Sequence, residues 1–117
     1  MFDNYPGAVT LTELERIRYT MDALSRSETV LHDKLENPAL EQYYPVICAD
    51  LHRHALEILW GWEQLYRRIN MLPESFFDKY SFREKSGQGI DRIKVLVFYT
   101  QHLLRQRYEP ADEEYDR

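Results

Sequence analysis

Two long segments of this chain place a seam residue at every third or fourth position. Leu14, Ile17, Met21, Leu24, Glu28, Leu31 and Leu35 form the first series, and Cys48, Leu51, Ala55, Ile58, Trp62, Leu65, Ile69 and Leu72 form the second. Steps of three and four put each series on one stripe of an α-helix, and stripes this long need other helices to cover them. The expected fold is therefore all-α: an antiparallel bundle of three main helices with one or two short helical turns. The first stripe is interrupted by a carboxylate, Glu28; the second has no charged member.

The chain's punctuation sets the expected boundaries. Pro6-Gly7 reads as a turn, leaving residues 1–9 as an arm. Thr10 and Thr12 each precede a Glu by three residues (Glu13 and Glu15), the pattern of a capping box at a helix start. Asn37-Pro38 stops the first helix, because the residue before a proline avoids helical geometry. Pro38 then opens a short turn through Tyr43, and Pro45 opens a second long helix that ends near Leu72-Pro73. Residues 73–89 read as a short helical turn at 74–80 followed by a glycine-containing loop. Residues 90–108 form a third, slightly shorter helix. The run Ile93–Tyr99 is rich in strand-forming residues, but a lone strand has nothing to pair with, and Ile90, Ile93, Val97 and Leu104 share a helical stripe. Residues 109–117, with five acids, read as a frayed acidic tail.

A chain of 117 residues has room for one domain with one core. No stretch is long and apolar enough to span a membrane. The first residues lack both the basic and the apolar region of a secretory signal. The single cysteine, Cys48, lies on an apolar stripe and reads as a small buried hydrophobe in a reducing, cytoplasmic setting. The net charge of −5 is unevenly distributed: residues 1–66 carry eleven acids and five bases, residues 67–107 four acids and nine bases, and residues 108–117 five acids and one base. The bland consequence is that these segments neutralise one another in the fold or across a dimer.

Glu28 is the first candidate for something other than packing. A carboxylate in a seam is costly unless it reaches water or finds a partner. His32, one turn on, is a polar-core partner within reach, as is an Arg or His from a facing helix. Cys48, Asp50, His52 and His54 suggest metal chemistry at first sight. However, each same-face pair supplies two ligands where zinc or iron takes three or four. Glu28, His32, His54, Glu57 and His102 would have to converge from three helices to make a metal protein or enzyme. The chain contains no Glu-x-x-His, no His-Glu-x-x-His and no paired-cysteine motif. No catalytic nucleophile motif, metal site or cofactor motif is identified.

The second helix is apolar on more than one side. Leu56, Leu59, Trp60 and Tyr66 flank its seam, so cover by a homodimer or by another partner chain is expected there. The segment 73–89 combines Phe76, Phe77, Tyr80 and Phe82 with Arg83 and Lys85, which suits contact with a protein partner. The basic stretch 79–107 offers a nucleic-acid alternative, with aromatic rings to stack on bases and cations to hold phosphates. The acidic remainder of the chain opposes it. The reading that follows is a small non-enzymatic interaction protein: an adaptor, inhibitor, complex subunit or assembly factor.

Overall fold

In the computed structural model the chain is described over residues 6–37 and 46–108, with side chains placed over 12–37 and 47–105. It forms three helices: α1 (Pro6–Glu36), α2 (Val46–Asn70) and α3 (Lys79–Tyr108). No strand occurs among the described residues, and the run Ile93–Tyr99 is helical. The three helices make the expected antiparallel bundle. Glu13 near the start of α1 meets Arg68 near the end of α2 at 3.0 Å, so these two run in opposite directions. His52 early in α2 meets Thr100 late in α3 at 2.9 Å, so α3 reverses again and runs parallel to α1. α2 is the central element; α1 packs mainly on α2 and touches α3 sparingly.

Both seams face the core, with Met21, Leu24, Leu35 and Leu72 partly buried. Ile17 and Leu31 of α1 and Cys48, Leu51, Ala55, Ile58, Trp62, Leu65 and Ile69 of α2 are almost inaccessible to solvent. A third seam, not evident from apolar spacing, completes the core. Lys79, Phe82, Ser86, Gly89, Ile93, Leu96, Thr100 and Leu103 follow the same three-and-four steps along α3, and all except the partly buried Leu103 are buried. Half of this seam is polar or small, so hydrophobic periodicity does not reveal it.

The small members explain how closely the helices approach. A Cβ built on Gly89 would lie 2.5 Å from Trp62 Cδ2 and Cε2, so the indole lies directly against the α3 backbone. A Cβ on Gly61 would lie 2.6 Å from Leu24 Cδ2, which makes Gly61 the place where α1 presses on α2. Ser86 and Thr100 satisfy their buried hydroxyls within α3, on the carbonyls of Arg83 (3.0 Å) and Leu96 (2.8 Å).

Three expected boundaries are corrected. First, α1 begins at Pro6, so residues 6–9 belong to the helix and Thr10 and Thr12 lie inside it. Proline suits a first helical turn, where its missing N–H leaves no bond unmade. Second, residues 74–78 form turns, not a short helix, and α3 starts at Lys79. With 30 residues it is longer than the 25-residue α2. Third, the Ser86–Gly89 stretch is mid-helix, so its backbone N–H groups are committed to the helix instead of opening one. The expected turn at 38–43 and the acidic tail from residue 109 lie outside the described residues.

The molecule is a rod, 68 × 26 × 18 Å. It exposes 8552 Å², whereas a compact monomer of this mass exposes roughly 6,800 Å². A rod this thin offers long helix faces to solvent, and no described helix is long and apolar enough to cross a membrane.

Candidate interaction surface

Glu28 is buried, and its partners come from the other two helices. Trp62 Nε1 donates to Oε1 at 2.7 Å. Arg92 donates from Nε to Oε2 at 3.3 Å and from Nη2 to Oε1 at 3.5 Å. The Arg92 guanidinium also lies over the Trp62 ring, 5.7 Å from its centroid. One residue from each helix thus meets at mid-bundle and fixes the helices' mutual register. Both carboxylate oxygens are engaged by side chains of the other two helices. His32, the partner expected from sequence, is exposed and takes no part.

The other candidate ligands are dispersed. His52 Nδ1 and the Thr100 hydroxyl are hydrogen-bonded at 2.9 Å, and the hydroxyl also reaches the carbonyls of Leu96 and Val97. His54 is half-buried, while Glu57 and His102 are exposed. Among the described residues no three of His, Cys, Asp and Glu gather in a way that would hold a metal ion. The basic segment is divided in a similar way. Lys79 is buried, Arg92 is bound to Glu28 and Arg83 lies over Tyr80; of the segment's other described cations, Lys85 is exposed on one side of α3 and Lys94 and Arg105 on the opposite side.

The α2–α3 turn has a surface of another kind. Asp78 adopts a left-handed backbone conformation (φ 56°), which aspartate tolerates better than most residues, and its carbonyl accepts the first helical bond from Phe82 N–H at 3.0 Å. The buried ammonium of Lys79 reaches back to Leu72 O (2.6 Å), Asn70 O (3.4 Å) and Glu74 Oε1 (2.9 Å). It thereby satisfies carbonyls left over at the end of α2 and ties the turn to α3. Its hydrogen bond and positive charge hold the Glu74 carboxyl below its ordinary pKa.

On this pinned turn, Met71 is 85%, Phe77 59% and Tyr80 70% exposed. Arg83 stacks on Tyr80, 5.6 Å from the ring centroid. The pair forms a ridge between two shallow open grooves, one running past Tyr66, Gly87 and Asp91, the other past Glu74, Phe76 and Asp78. The residues expected to make partner contacts are therefore split. Phe77, Tyr80 and Lys85 are exposed, and Arg83 is half-buried against Tyr80. Phe76 is partly buried and packs on the core. Phe82 is 5% exposed and belongs to the α3 seam, so its ring is not available to a partner; the early start of α3 turns it inward. Met71 was not anticipated, because in sequence it reads as the last residue of the second helix, next to the seam residue Leu72.

The α2 face expected to self-associate is also split. Leu56 and Trp60 are exposed, whereas Leu59 packs against the core and Tyr66 is half-covered beside Gly87. Three helices from one chain cover more of α2 than its composition suggests. Val95, Phe98 and Tyr99 of α3 form a second exposed apolar stripe, which sequence reasoning had assigned to no function. Comparison of the chain with protein-family models, with curated proteins and with solved structures gives no match.

Proposed function

We propose that this chain is a small protein-interaction module that engages a protein partner through the rigid aromatic turn between α2 and α3. The observation that carries the reading is the Phe77, Tyr80 and Arg83 surface, solvent-facing yet mounted on a turn anchored by buried Lys79. Tyrosine and arginine dominate binding energy at many interfaces, and a preformed turn loses little entropy on docking. The polar groups that first suggest chemistry support this reading by their positions. Glu28 is bound by Trp62 and Arg92, and His52 is bound by Thr100. Among the described residues Lys94 and Arg105 share a side of α3 with Asp91, and Lys85 lies opposite them, which weakens the nucleic-acid alternative.

The test is the double substitution Phe77→Ala/Tyr80→Ala in the full chain. Both side chains are mostly exposed, so the thermal midpoint should stay within a few degrees of wild type. Proteins recovered from the native host by the wild-type chain should be lost with the variant. Retention of the same partners by a folded variant would refute the reading. A large fall in midpoint would show instead that these rings are core residues.

A further inference from the structure

We infer that the outer face of α3 is a self-association surface, pairing antiparallel with α3 of a second copy about a two-fold axis at Phe98. Phe98 is 76% exposed and Val95 67% exposed on the side of α3 that faces away from the core seam. Asp91, Phe98 and Arg105 are spaced by seven, two helical turns, and so lie on one stripe. All three are exposed, and neither Asp91 nor Arg105 has an ion pair among the described residues.

The charge pattern selects both the occupant and its direction. In an antiparallel pair centred on Phe98, Asp91 of each copy lies opposite Arg105 of the other, because the two are equally far from the centre. The two phenylalanine rings meet at the axis, Val95 lies beside His102 of the partner copy, and Lys94 lies beside Gln101 of the partner copy. No like charges meet. A parallel pair would instead put Asp91 against its own copy. A two-fold contact is self-complementary in this sense, and this face has that property.

The α2 face lacks it. Trp60, 64% exposed, is flanked at the same seven-residue spacing by Arg53 and Arg67. An antiparallel pair centred on Trp60 would put arginine against arginine at both ends. The expected dimer interface on α2 is therefore the less favourable of the two faces, and the α3 pairing is independent of the aromatic turn proposed for a foreign partner.

Sedimentation velocity of the full-length chain from about 1 to 200 μM tests the proposal. Wild type should shift from monomer to dimer across that range. Phe98→Glu, which sets two carboxylates at the axis, should remain monomeric with an unchanged melting midpoint at low concentration. Asp91→Arg should weaken the dimer at least tenfold, and adding Arg105→Asp should restore it. Trp60→Glu should leave it unaffected. A wild-type monomer at every concentration overturns the proposal. So does a dimer that survives Phe98→Glu, or one that Trp60→Glu abolishes.

Discussion

Gly89→Ala should destabilise this protein, although glycine to alanine inside a helix ordinarily stabilises it by ~1 kcal/mol. The added Cβ would stand 2.5 Å from two atoms of the Trp62 ring and 2.8 Å from a third, where ordinary contact begins near 3.4 Å. Either the indole or α3 must retreat by nearly 1 Å. The indole is tethered, because its Nε1 lies 2.7 Å from Glu28, and a displacement of that size would strain or break the bond. Overpacking costs about 1–3 kcal/mol and a lost bond to a charged group about 1.5–3 kcal/mol, so the net loss after the helical gain is about 1.5–5 kcal/mol. For a chain of this size that is a fall of roughly 6–20 °C in thermal midpoint. Two other helical glycines serve as controls. A Cβ on Gly61 meets only the end of the Leu24 side chain, which can turn aside, so Gly61→Ala should be nearly neutral. A Cβ on Gly87 would make an ordinary 3.7 Å contact with Tyr66, so Gly87→Ala should gain about 0.5–1 kcal/mol. Circular-dichroism melts at one matched low concentration give the order Gly87→Ala, Gly61→Ala, Gly89→Ala. A Gly89→Ala midpoint at or above wild type would refute the argument.

Glu28→Gln keeps an acceptor for Trp62 N–H and gives up the pairing with half-exposed Arg92, so urea denaturation should show a loss of only about 0.5–1 kcal/mol. Glu28→Ala leaves the buried indole N–H without a partner and opens a cavity, so it should lose about 2–4 kcal/mol in the same assay. Lys79→Met removes the cation from the carbonyls of Leu72 and Asn70 and should cost about 1–3 kcal/mol; an unchanged denaturation curve would contradict its role as the anchor of the turn. The lowered Glu74 pKa stabilises the folded state above the carboxyl's ordinary 4.5, and that contribution is lost as pH falls through the lower folded value. Glu74→Gln should therefore lower the melting midpoint slightly at neutral pH, converge with wild type in acid, and so flatten the acid side of the profile below about pH 5.

The parts of the fold legible in the sequence are those encoded by apolar spacing. The stripes from Leu14 to Leu35 and from Cys48 to Leu72 place two helices and their buried faces, and Asn37-Pro38 and Pro73 mark their ends. The start of α3 was illegible because its seam is written in Lys79, Ser86, Gly89 and Thr100. Each of these is buried for a reason that hydrophobicity does not register: a cation capping a helix end, a hydroxyl bonded to its own helix, or a missing side chain under an indole. A search for steps of three and four that admits small residues would have found it. Glu28 was legible as an anomaly but not in its partners. Trp62 was counted as apolar and Arg92 as part of a basic segment, and only the packing of three helices brings the indole N–H and the guanidinium to one carboxylate. The aromatic turn was visible in composition; which of its rings face outward depended on where α3 begins.

The central claim is that the one carboxylate in the seams joins the three helices through Trp62 and Arg92. The Trp62 indole N–H tests it directly, since the chain has two tryptophans, one buried at 2% exposure and one 64% exposed. In a nitrogen-15 correlation spectrum the account predicts one indole proton that exchanges rapidly, from Trp60, and one that is strongly protected, from Trp62. The protected resonance should shift markedly in Glu28→Gln while the other stays in place. Two rapidly exchanging indole protons, or a Trp62 resonance indifferent to Glu28, would contradict it.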